Sequence, residues 1–252
     1  MDVIRGIFST KSVSTDESGT EVQRKVYWLV REQSDGTFRV QPLSKSFVPT
    51  GEAKSVSRDG FLDRFEPEPE FYIESVAHKK READDILGLE GGGGGSGLPL
   101  AGLDLASAQK VNEENIRSNF NLGILLLSQG RTGKAQDIFD RILRLSAPFD
   151  VEHKHLFNSL GIRLRKAGQH DAALKFYERA AALAPEDENI YHNMARALFE
   201  KGEMKMAMER LKKSLDLNPA LRESRLFVRY LRRRYLGPSR EKAHVYRKPF
   251  EG

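Results

Sequence analysis

The side chains of this chain that could bear chemistry are few and scattered. His153, His155, His170 and His192 invite a metal reading, but His153 and His155 do not stand at i, i+4 on a helix. No glutamate joins them at a zinc-enzyme spacing. There is no cysteine, which excludes disulfides and thiolate metal sites. Asp59, Asp63 and Glu68 have no basic or nucleophilic partner in the sequence. Residues 91–97 are five glycines, a serine and a glycine. A phosphate cradle would need Gly-Lys-Ser or Gly-Lys-Thr opening a helix, whereas Leu98-Pro99-Leu100 follows, so the stretch reads as a flexible linker. With no nucleophile and base constellation and no cofactor fingerprint, the sequence predicts no enzyme, no metal and no cofactor.

Positive charge is the second feature. The formal net charge is +5, yet residues 220–252 hold ten Lys or Arg against three Glu, a net of +7, which leaves residues 1–219 at −2. At 100° per residue, a helix over 220–236 puts Leu221, Phe227, Val228, Leu231, Tyr235 and Leu236 on one side. Arg222, Arg225, Arg229 and Arg233 fall on the other, with Leu226 and Tyr230 beside them. Guanidinium groups next to an aromatic ring hold phosphates and stack on bases, and an acidic protein or an anionic membrane would serve as well. A solvated outer face, which the last helix of any stacked array needs, accounts for the same pattern.

The elements that must position these groups follow from an internal repeat. Phe157, Leu160, Gly161, Leu164, Gly168, Ala173, Tyr177, Ala180 and Pro185 are answered 34 residues later by Tyr191, Met194, Ala195, Leu198, Gly202, Ala207, Leu211, Ser214 and Pro219. Apolar residues at i, i+3 and i+7 make a buried stripe on a first helix, and Gly161 or Ala195 on that stripe lets a second helix approach. Ala173 and Ala207 do the same from the second helix, while Tyr177 and Leu211 fill the space between. Gly168 and Gly202 end the first helix, and Pro185 and Pro219 stop the second. Asn119, Leu122, Gly123, Leu126, Gly130, Ala135 and Phe139 form a degenerate earlier copy. There Asn119 stands where an aromatic belongs, and about four extra residues fall near 146–150.

This pattern resembles the tetratricopeptide repeat (TPR), whose signature is aromatic-x2-Leu-Gly-x2-Tyr, then Ala-x3-Phe, then Pro. The resemblance implies an α-solenoid whose first helices line a concave groove that takes an extended peptide or a helix. Counted from repeat starts at Ile116, Lys154 and Glu188, the second, fifth, sixth and ninth positions face that groove. They are Arg117, Phe120, Asn121 and Ile124; His155, Asn158, Ser159 and Ile162; and Asn189, His192, Asn193 and Arg196. Asn121, Asn158 and Asn193 would pair with a peptide backbone, and Arg117 and Arg196 would favour an acidic group. Phe120, Ile124 and Ser159 replace the Lys and Asn of the clamp that holds a terminal carboxylate in chaperone-binding members. An internal segment or an amphipathic helix is therefore the expected ligand.

Ahead of the repeats, residues 1–23 read as a segment rich in Ser, Thr and charge, mobile at least after Phe8, with docking of Arg5–Phe8 on something larger as the alternative. Residues 24–77 read as a small α+β module: a hairpin from Val26–Val30 to Phe38–Leu43 across Asp35-Gly36, a short helix over 57–65, and a strand from Phe71 to Val76. The module weakly resembles leaders on bacterial TPR proteins of uncharacterised type, and that resemblance carries no activity. A core this small predicts docking on the repeats or pairing with a second copy. The expected chain is mainly α: module, charged and Gly-rich linker over 78–106, three TPR-like helix pairs with a capping helix over 107–237, and a basic tail over 238–252. No apolar run reaches the length of a membrane span, so the expectation is a soluble, cytoplasmic scaffold that binds a protein or peptide. The alternative is a nucleic-acid-associated protein using the arginine helix.

Overall fold

A computed structural model describes residues 4–15, 21–44, 48–70, 105–146 and 149–235. The chain divides into two compact units, residues 1–147 and 148–252. The division falls at the extra residues that interrupt the repeat register.

The first unit opens with a five-stranded antiparallel sheet: β1 (Arg5–Thr15), β2 (Glu21–Glu32), β3 (Phe38–Pro42), β4 (Lys54–Val56) and β5 (Glu66–Pro67), in the order β4-β3-β2-β1-β5. Alternation sets its faces. Phe8, Val30, Phe38 and Val40 lie on one side and are buried there by α1 (Arg58–Arg64). Phe61 stacks on Phe38 at 4.1 Å and meets Phe8 edge-on at 5.1 Å, while Phe65 meets Trp28 at 5.8 Å. The α1 N-terminus is capped by Ser57, whose hydroxyl accepts from the Gly60 N–H. The hairpin at Asp35-Gly36 and the helix follow the sequence expectation.

Two points differ. Arg5–Thr15, expected within a mobile segment, is a strand, because the sparse Ile4, Ile7 and Phe8 are each at most 2% exposed in this core. Ser9 is also fully buried and donates to Glu68. The strand expected at Phe71–Val76 and the glycine linker lie outside the described residues.

The sheet shares its unit with the first helix pair, α2 (Leu105–Ser128) and α3 (Thr132–Leu143). Asn115 of α2 joins them: its Oδ1 accepts from the Ile7 N–H at 3.0 Å and its Nδ2 donates to the Glu68 carbonyl at 2.8 Å. One side-chain amide thus stands in for a strand residue on the β1 edge left open beyond β5. Arg141 of α3 adds a two-pronged pair with Glu70 and a bond to the Pro67 carbonyl at 2.7 Å, and Arg131 bonds Asp63 at 2.9 Å. Asn119, at the place of the repeat aromatic, is fully buried and donates to the Asn115 carbonyl at 2.8 Å. Docking of the sheet explains the departure from the repeat pattern.

In the second unit a 3-10 turn (Val151–His153) leads into α4 (Lys154–Lys166), α5 (His170–Leu183), α6 (Glu188–Lys201), α7 (Met204–Leu217) and α8 (Arg222–Tyr235). Each pair closes on the expected stripe: Phe157, Leu160 and Leu164 against Phe176 and Tyr177, then Met194, Ala195 and Leu198 with Ala207 and Leu211, all buried. A Cβ on Gly161 would lie 2.6 Å from the Tyr177 ring, and one on Gly123 only 2.4 Å from Phe139, so both pairs need the bare backbone there. α8 closes the core with Val228 and Leu231, which join Met208 and Leu211. Each such burial contributes about 1.5–3 kcal/mol before side-chain ordering is counted.

Candidate functional site

In the second unit α4, α6 and α8 are first helices at successive 34-residue intervals, and side chains within one position of that register link α4 to α6. The Asn193 amide donates to Asn158 Oδ1 at 3.0 Å. Lys154 Nζ lies 2.9 Å from an oxygen of Asp187, the residue whose side chain caps α6. About three turns further along α4, Arg165 is buried in an ion pair with Glu200, and His170 Nδ1 stands 3.8 Å from the other Glu200 oxygen. Beneath them is the Tyr177 hydroxyl, which burial pushes up to about 12 against the pull of Arg165.

A hydroxyl chain fixes the next junction. Ser214 Oγ donates to the Glu188 carbonyl at 2.9 Å, so its proton is used, and Ser224 must donate to Ser214 across 2.8 Å. His192 Nδ1, 2.9 Å from Ser224 Oγ, is then the donor, which selects the Nδ1–H tautomer. Burial, and then the nearby Arg196, hold the His192 pKa below its ordinary value. Its ring also meets Phe227 at 6.1 Å. His192, expected to face the groove, therefore mainly seats α8, and only its half-exposed remainder borders the shared face.

What remains open on the first-helix face is a line of mixed chemistry. Asn158 and Ile162 of α4 are half-exposed, His155 is exposed, and Asn189 and Arg196 of α6 are exposed. The same register continues on α8 with Leu226, 47% exposed, and Tyr230, 44% exposed. Those two were legible, since each lies 34 residues beyond a groove position of α6, but a capping helix was not expected to extend the groove. Arg165 and Glu200 were also missed, because only their contact shows that the line includes an ion pair made by a buried arginine.

The first unit departs more. Phe120 is fully buried with its ring 5.1 Å from Phe139, and Asn121 is buried as well. Neither presents a groove surface, because α3 and the docked sheet draw this helix's faces into the core. Arg117 is half-buried in an i, i+4 pair with Glu113 at 3.3 Å, and Ile124 is half-buried. Of the basic positions, Arg222, Arg225, Arg229 and Arg233 are all exposed along α8. No group of three potential metal ligands occurs among the described residues. No described helix is long and apolar enough to cross a membrane.

Comparison with known proteins agrees with this register. Sequence models of the tetratricopeptide repeat match residues 113–186 and 164–223. Residues 113–223 are thus tetratricopeptide repeats, with an antiparallel sheet module ahead of them. No curated protein sequence matches it. Among solved structures it is similar to MamA from Desulfovibrio magneticus RS-1, at 20% identity and TM-score 0.36 over 58% of this chain and 86% of that one. It is likewise similar to YrrB, described as a TPR protein with an unusual peptide-binding site, at 20% identity and TM-score 0.33 over 50% and 66%. A third is the Yersinia enterocolitica type III secretion translocator chaperone SycD, at 20% identity and TM-score 0.32 over 55% and 95%.

Proposed function

We propose that this protein is a non-enzymatic interaction scaffold whose second unit binds a protein segment along the line from Asn158 to Tyr230. The observation that carries the reading is the line of half-exposed and exposed amide, apolar, cationic and aromatic groups on three consecutive first helices: Asn158 and Ile162, then Asn193 and Arg196, then Leu226 and Tyr230. Asn158 and Asn193 use one donor and one acceptor on each other. Each keeps a further amide atom for a peptide backbone. Arg196 offers a guanidinium fork to an acidic side chain, and Leu226 with Tyr230 offers an apolar seat one helix further on. The ligand that fits is an internal segment with an apolar anchor and a carboxylate spaced by about one helix diameter, roughly 10 Å.

The test is selection of random dodecamer peptides on the full chain, with affinities then measured on variants. Asn193→Ala and Arg196→Ala should each weaken the selected peptides by about tenfold, the usual effect of losing one charged or doubly bonded contact. Peptides that bind equally well to both variants would remove the groove from consideration.

A further inference from the structure

We infer that the arginine face of α8 is a second binding surface, for single-stranded nucleic acid, which adjoins the groove line at Tyr230. The 34-residue register shows what this face replaces. Phe157 and Gly161 of α4 and Tyr191 and Ala195 of α6 are the positions that admit each helix's own second helix. In α8 those positions are Arg225 and Arg229, so a large charged side chain stands where the fold needs a small one. No second helix can seat there by the contacts the earlier pairs use. Val228 and Leu231, on the inner side of α8, are already buried with Met208 and Leu211.

Solubility of an array end does not require a single sign of charge. α7 mixes Lys205, Arg210, Lys212 and Lys213 with Glu209 and Asp216, whereas α8 carries six arginines, no lysine and one glutamate in 14 residues. Among the described residues no carboxylate forms an ion pair with Arg222, Arg225, Arg229 or Arg233. A second copy of this face would bring like charges together, and an acidic helix would find apolar surface only at its margin, on Leu226 and Tyr230, rather than along the arginines. A phosphate backbone needs neither, and arginine forks match its oxygens. Tyr230 stands beside the arginines on the helix surface, its ring packed against Phe227 and Phe199 yet 44% exposed, and the exposed part offers a surface on which an unpaired base can stack. That ring favours a single strand, whose bases are open, over a duplex.

The experiment titrates the full chain with a labelled oligothymidylate of about 20 nucleotides, across salt, beside a duplex of the same length and a polyglutamate of matched charge. Four phosphate contacts should give a log–log salt slope of about −3. The triple variant Arg225→Gln, Arg229→Gln and Arg233→Gln should reduce the slope to about −1 and weaken binding at least about 30-fold at low salt. Tyr230→Ala should cost about tenfold and leave the slope unchanged, with no need for the triple variant to fold. Circular dichroism confirms that each variant keeps its helices. The proposal is overturned if the oligothymidylate does not bind at about 50 mM salt or ignores both variants, or if polyglutamate binds as tightly and with the same dependence on Tyr230.

Discussion

At Gly161 the absence of one side chain determines how closely two helices pack, and the same residue shows how local preference and packing oppose each other. Alanine is the better helix former by about 1 kcal/mol. Here its Cβ would lie 2.6 Å from the buried Tyr177 ring, which has no free space to retreat into. Gly161→Ala should therefore lower stability by a net of about 1–2 kcal/mol, read from the denaturation midpoint. Gly133→Ala meets nothing within 4 Å inside α3 and should raise it by about 0.5–1 kcal/mol. His192 makes a second residue-scale expectation. Its folded pKa lies below the ordinary 6.5, held down by burial and by Arg196 and Arg165 against a smaller opposite pull from Glu223. The unfolded chain then binds the proton first, so this contribution is complete above about pH 6.5 and is lost as pH falls toward the folded value. The thermal midpoint should decline between about pH 7.5 and 5, and His192→Gln should flatten that decline. Gly161 was legible in the sequence because its spacing repeats. The role of His192 was not, because the Ser214–Ser224 relay that orients it joins residues with no periodic relation.

The elements divide along the same line. Every helix of the second unit, and the hairpin at Asp35-Gly36, was visible, since period and turn chemistry are local properties. β1 was not, because only three apolar residues mark it and its burial is decided by α1 and α2, far away in sequence. The β1 edge is where an element-scale prediction belongs. Asn115→Leu keeps the volume but leaves the Ile7 N–H and the Glu68 carbonyl buried without partners, at about 1–3 kcal/mol each. A total loss of roughly 2–5 kcal/mol should appear in the unfolding of the first unit. Trp28, the single tryptophan, donates to Thr10 inside the same sheet and is the natural reporter. Amide exchange at Ile7 should accelerate in the same variant. An unchanged fluorescence transition would mean that α2 does not complete the sheet edge.

On the scale of the whole molecule the unequal distribution of charge matters more than its net value. A chain at −2 over residues 1–219 and +7 beyond them concentrates its net positive charge there, so salt-sensitive binding of a polyanion is expected at residues 220–252. Within that end, α8 has two exposed sides with different chemistry. Leu226 and Tyr230 continue the line of Ile162 and Arg196, whereas Arg225 and Arg229 stand on the side where the earlier helices receive a partner helix. Tyr230 is the residue common to both. This arrangement predicts partial competition: a groove peptide that seats its anchor on Tyr230 should weaken oligothymidylate by about the tenfold assigned to stacking, without altering the salt slope, because the phosphate contacts are untouched. By linkage the oligothymidylate should weaken the peptide by the same factor. In the Tyr230→Ala protein the coupling should vanish, and each ligand should bind as though the other were absent. Full mutual exclusion would instead mean that peptide and nucleic acid share the arginines, and complete independence would place the peptide's anchor short of α8.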